Sequence, residues 1–100
     1  MTARVNVHTI ISVKITFDTP KDGANIAKHG VSLAEADTFE WDTALMWPDV
    51  RRSYGEARMA GIGYIGRRLY FVAFVERADG YRIISLRKAN GREVRRYAEA

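Results

Sequence analysis

Cysteine is absent from this chain, which excludes a disulfide framework and a thiolate metal site alike. Histidine is scarce too. Neither His8 nor His29 belongs to a His-x-x-x-His or Glu-x-x-His spacing, so no metal and no other cofactor is expected. No apolar run approaches bilayer length. The N-terminal apolar residues are interrupted by Asn6, His8 and Lys14 and resemble no signal peptide, so a cytoplasmic protein is expected. No phosphate-binding glycine loop is present, and none of Ser12, Ser32, Ser53 or Ser85 sits in a nucleophile elbow. Gly61-x-Gly63-x-x-Gly66 matches a dinucleotide pattern in letters alone, because it leads into a hairpin turn and not a helix. No repeat, linker or low-complexity segment divides the chain. Residues 1–100 read as a single domain with one modest core.

What the chain does have is basic charge, unevenly placed. Residues 1–49 carry four Lys/Arg against seven Asp/Glu, whereas residues 50–100 carry twelve against five. An arginine-rich half on a small domain favours a polyanionic partner, and the planar guanidinium suits phosphate. Arg92, Arg95 and Arg96 also fit a solvated helix face; that account suits arginines inside strands less well.

The pattern predicts an α+β fold organised around residues 64–97. Leu69 to Val75 is an unbroken aliphatic and aromatic run, short enough for a strand and apolar on both faces, so it reads as a central strand. Ala78-Asp79-Gly80 supplies a three-residue turn, Tyr81 to Lys88 a second strand, and Asn90 with Glu93 a capping box opening a C-terminal helix. Upstream, Asp18-Thr19-Pro20 starts a helix that ends at Gly30, and Ser32 with Glu35 forms a second capping box for a helix ending near Phe39. Phe39, Trp41, Leu45, Met46 and Trp47 offer core or interface surface. Pro48 to Gly55 is a polar loop bearing Arg51 and Arg52. Ala57 to Ile65 is a strand whose two glycines mark a bulge or a close approach. Residues 1–14 are an extension, either an edge strand or disordered, with His8 exposed.

Parity turns this outline into a site. A three-residue turn pairs Arg77 with Tyr81, Val75 with Ile83, Ala73 with Ser85 and Phe71 with Arg87, and opposite residues share a face. A two-residue turn before Leu69 brings Arg58 to that same face, so Arg58, Arg77 and Arg87 converge from three strands; a one-residue change would send Arg58 to the other face. Convergent arginines repel unless an anion or carboxylate is present. Both readings stay open here: a phosphate site, or neutralisation by Glu56 or Glu76. His29 beside Lys28 fits a helix-dipole partner better than a base.

Three segments resemble the BrnT family of toxins from bacterial type II toxin–antitoxin pairs. In ITFDTPKDGANIAKHGVSL, the residues Asp18, Lys21, Asn25, Lys28, His29, Gly30, Val31 and Ser32 match the family's opening pattern. GEARMAGIG at 55–63 resembles the middle pattern, and RIISLRKANGREVRRY at 82–97 the third. Phe17 replaces a tryptophan, Arg52 stands where a histidine is common, and Leu86 replaces a small residue. The resemblance implies a RelE-like fold, with N-terminal helices on a small antiparallel sheet and a C-terminal helix. It also implies a metal-independent endoribonuclease using 2′-hydroxyl attack, an RNA substrate, and a BrnA-type antitoxin joined in a higher-order complex. On that reading Arg58, Arg77 and Arg87 clamp phosphate, Arg82 assists, and Glu56 acts as base or holds Arg58. Lys28, His29, Lys88, Tyr81 and Tyr97 contact RNA, the tyrosines by stacking. The rival is a non-catalytic nucleic-acid-binding or protein-interaction module using the same arginine face.

Overall fold

In the computed structural model, which describes residues 13–50 and 55–100, the middle of a five-stranded sheet is the apolar run predicted as the central strand. The elements are β1 (Ile15–Thr16), α1 (Thr19–His29), two 3₁₀ turns (Leu33–Thr38 and Trp41–Thr43), β2 (Leu45–Asp49), β3 (Arg58–Ile65), β4 (Arg68–Arg77), β5 (Gly80–Lys88) and α2 (Gly91–Glu99). The sheet order is β1-β5-β4-β3-β2. β1 pairs parallel to β5 while the other neighbours are antiparallel. The sheet is therefore mixed and not purely antiparallel as expected. The expectations for residues 1–12 and for Arg51 and Arg52 lie outside the described residues.

Local chemistry explains most element ends. Pro20 sits in the first turn of α1, and Gly30, at φ 74°, closes the helix by donating its N–H to Ile26. The Ser32 segment differs from expectation. It forms a 3₁₀ turn, and its second capping partner is not Glu35. Asp22, reaching over from α1, accepts from Ser32 Oγ (3.0 Å) and from the Leu33 N–H (2.7 Å). A long-range carboxylate has replaced the local one, and it pins the turn to α1.

β2 was not foreseen as a strand. It contains Pro48, which an edge strand tolerates because its outer N–H has no ladder partner to lose. The glycines of β3 mark a close approach and no bulge. A Cβ on Gly63 would stand 2.6 Å from the Phe39 ring, so only glycine lets Phe39 lie flat against the strand.

The two faces of the sheet are covered separately. On one, Leu33, Ala36 and Phe39 from the first 3₁₀ turn pack on Val72, Phe74, Ile83 and Leu86. Each fully buried side chain of this size contributes roughly 1.5–3 kcal/mol. Asn25 of α1 is buried beside them; its amide donates to Val31 O (2.9 Å) and Leu86 O (2.8 Å), and its Oδ1 accepts from the Leu86 N–H (3.3 Å). On the other face Ala60, Ile62, Leu69, Phe71, Ala73 and Ala89 form a second cluster, partly roofed by Tyr97 of α2. No helix among the described residues is long and apolar enough to cross a membrane.

Candidate functional site

The β4–β5 register decides which arginines meet. Phe71 pairs with Arg87 and Ala73 with Ser85, as parity predicts. Between Ala73 and Phe74 the register then slips, because Ile84 is an extra residue on β5. Beyond it Phe74 pairs with Ile83, Val75 with Arg82, Glu76 with Tyr81 and Arg77 with Gly80. The turn is thus Ala78-Asp79 alone, one residue tighter than expected. Gly80 takes φ 154°, and a Cβ there would collide with the Lys14 carbonyl.

The slip exchanges the places of two neighbours. Tyr81, expected on the arginine face, lies instead on the α1 side. Its ring contacts Trp41 (4.8 Å between centroids) and Phe74 (4.5 Å). Burial, and then the nearby Glu76, raise its phenol pKa. Arg82 moves the other way, onto the face of Val75, Arg77 and Arg87. Arg58 precedes Met59, which pairs with Phe74, so it joins the same face from β3, directly across from the buried Asp49 of β2.

Four arginines from three strands therefore share one face, but they do not form one clamp. Arg58, Arg82 and Arg77 cluster around Val75 near the turn. Arg87 stands at Phe71, and Arg77 lies six positions along β4 from Phe71, roughly 20 Å along the strand. The expected convergence on one phosphate is corrected to two stations on one strip.

Partners differ between the stations. Arg77 lies 3.7 Å from Glu56, so the carboxylate expected to act as base or hold Arg58 is Arg77's neighbour. Arg82 has no hydrogen bond or ion pair among the described residues. Arg87 is held closely. Its Nη1 and Nη2 each donate to Glu93 at 2.8 Å, Nη1 also donates to Lys88 O at 3.3 Å, and the guanidinium lies 4.4 Å above the Phe71 ring. Glu93 accepts from the Asn90 N–H while Asn90 accepts from the Glu93 N–H, which is the predicted capping box. The second use of Glu93 left no local trace in sequence.

The remaining candidates fall elsewhere. Tyr97 anchors α2, donating to Thr43 O (3.2 Å) with its ring edge-on to Tyr64. Like Tyr81 it has its ring engaged by the fold. Trp47, not singled out as a site residue, carries the Arg96 guanidinium 3.7 Å from its ring centre. His29 and Lys88 line a cavity of about 470 Å³ with Ser32, Glu35 and Tyr70, on the α1 side of the sheet. Burial, then Lys28 and Arg87, lower the His29 pKa, which favours the neutral imidazole. Lys28 is exposed on α1. A second cavity, about 560 Å³, is lined by Arg67, Arg68, Arg95 and Tyr64. No group of three or more His, Asp or Glu side chains suited to a metal occurs among the described residues.

Such a strip of guanidinium groups on a rigid sheet can bind successive anionic groups and stabilise charge that develops on one of them. Comparison with known proteins places the chain in a family. A family profile described as "Ribonuclease toxin, BrnT, of type II toxin-antitoxin system" matches residues 17–93. The crystal structure of the Brucella abortus ribonuclease toxin BrnT is similar at TM-score 0.62 and 30% identity, over 79% of this chain and 99% of that one. No curated protein matches.

Proposed function

The chain belongs to the BrnT family of ribonuclease toxins of type II toxin–antitoxin systems, and from that premise we propose that it is a RelE-like, metal-independent endoribonuclease acting in the cytoplasm. The observation that carries the reading is the placement of Arg58, Arg77, Arg82 and Arg87 on one sheet face.

In this mechanism the ribose 2′-hydroxyl attacks the adjacent phosphorus. The new P–O2′ bond forms as the P–O5′ bond breaks, leaving a cyclic phosphate and a 5′-hydroxyl. The 2′-hydroxyl gives up its proton and the departing 5′-oxygen gains one. Charge grows on the non-bridging oxygens, where Arg58, Arg82 and Arg77 stabilise it. Glu56, beside Arg77, is a carboxylate placed to take the proton. Arg87 holds a flanking phosphate. His29, Lys28 and Lys88 contact RNA that passes round the end of β5. Tyr81 and Tyr97 drop out as stacking platforms, since their rings are already packed.

A BrnA-type antitoxin neutralises the activity in a higher-order complex. The deciding experiment incubates purified protein with RNA in chelator, with and without the antitoxin. Fragments ending in cyclic phosphate, suppressed by antitoxin, are expected. Retention of intact RNA without turnover would replace this reading with a non-catalytic binding module.

A further inference from the structure

Arg87 is tightly constrained, and the constraint comes from another element. A guanidinium has five N–H donors. Both protons of Nη1 are used, one by Glu93 Oε1 and one by Lys88 O, and one proton of Nη2 goes to Glu93 Oε2. Two donors remain, Nε–H and the outer Nη2–H. They lie along one edge of the plane, parallel to each other, and that edge matches the oxygens of a phosphodiester side-on. The Phe71 ring beneath, 4.4 Å away, fixes the plane itself.

We propose that Glu93 is a positioning residue: by gripping the end of the Arg87 guanidinium, it presents the Nε–Nη2 edge to the RNA phosphate that flanks the cleaved one. The proposal deepens the ribonuclease reading and rests on it. A carboxylate on the binding arginine looks self-defeating, yet the geometry resolves this. Glu93 occupies the end of the fork and leaves its side free. The Glu93 side chain is only 15% exposed and that of Arg87 30%, so the pair is ordered before substrate arrives, and less rotamer freedom is lost on binding. Glu93 is also the third residue of α2 and closes its cap. The orientation of Arg87 is thereby tied to the seating of the C-terminal helix.

Glu93→Gln, Arg87→Ala and the double variant test this in the full-length protein with single-turnover cleavage of an RNA oligonucleotide. A misaimed binding group costs up to about 100-fold. Glu93→Gln should lower cleavage at sub-saturating protein about 10- to 100-fold, mostly through weaker binding. In the Arg87→Ala background it should change cleavage less than about twofold, because the two residues act as one unit. Equal losses in both backgrounds would overturn the proposal and leave Glu93 a purely structural residue. Asn90→Ala, which removes the cap but leaves the grip, should cleave within a fewfold of the parent; a loss matching Glu93→Gln would also overturn it. Nitrogen-15 NMR of the arginine side chains supplies a readout that needs no cleavage. Rotation of the Arg87 Nη groups should be slow in the parent and fast in Glu93→Gln, and a dinucleotide should shift the Arg87 Nε–H signal in the parent. Fast rotation in the parent would sink the proposal whether or not the protein cuts RNA. Slow rotation in a protein that fails to cut RNA would instead remove the ribonuclease reading and leave the grip.

Discussion

Arg82 stands directly across from Val75 on the arginine face, and Arg58, one position past the Met59–Phe74 pair, flanks Val75 from the opposite strand. Neighbouring strands lie about 4.8 Å apart, so the backbones at these two residues stand about 10 Å apart across β4, a span that two arginine side chains can close on one phosphate. Arg82→Ala should therefore lower RNA cleavage by about 10²–10³-fold, the usual loss of a transition-state donor. Its melting temperature should stay close to the parent's, because Arg82 is only half-buried and a substitution away from ion pairs and the core changes stability by about 0.5 kcal/mol. Arg77→Ala should cost less activity than Arg82→Ala. Parallel melting curves and cleavage rates check both; normal activity in Arg82→Ala would remove it from the site.

Acid should weaken the fold partly through His29. Its folded pKa lies below the ordinary value of 6.5, so as pH falls below 6.5 the unfolded chain takes up a proton that the native state resists. Stability is thus full above 6.5 and declines through the window beneath it, down to the folded pKa. Urea unfolding of the parent and of His29→Gln at several pH values measures this. The gap between the two curves should change below pH 6.5 and be flat above it.

Asn25 belongs to the segment that resembles the family's opening pattern, yet its side chain reaches no arginine. It joins α1 to β5 through three hydrogen bonds involving Val31 and Leu86. Asn25→Ala would leave the Leu86 N–H and C=O without partners, at a cost of about 1–3 kcal/mol. For a domain of this size that lowers the melting temperature by about 4–8 °C per kcal/mol. Cleavage measured well below the transition should be near normal. A catalytic loss at full folding would give Asn25 a role in the site that its contacts do not suggest.

Local signals were legible in the chain, and long-range ones were not. The run Leu69–Val75, the Gly30 cap and the Asn90–Glu93 box each depend on residues a few positions apart, and each appears as expected. Parity brought Arg58, Arg77 and Arg87 to one face. It erred for Tyr81 and Arg82, because nothing in RIISLR announces that Ile84 is an unpaired extra residue. The parallel pairing of β1 on β5, the Asp22 cap on Leu33 and the Glu93 grip on Arg87 are contacts between elements. The last mattered most, since Glu93 already had a sufficient local explanation as a capping residue.

The antitoxin should compete with RNA for the arginine strip. A type II toxin is neutralised by a protein, and the strongest positive field available for steering lies on the half of the chain that carries twelve Lys/Arg against five Asp/Glu. An acidic segment would be drawn to that field as RNA is, so its association rate should fall as salt rises, while dissociation changes little. Arg82 and Arg77 are the natural contacts, because Arg87 already spends its end-on donors on Glu93. Substituting Arg82 should then weaken antitoxin binding as well as cleavage, whereas Glu93→Gln should affect cleavage more than antitoxin binding. Mixing labelled RNA, an inactive variant and antitoxin tests the competition directly. Displacement of RNA is expected. A stable ternary complex, with RNA still protecting the strip, would mean that inhibition acts from another surface, such as α1 and the 3₁₀ turn that Asp22 pins to it.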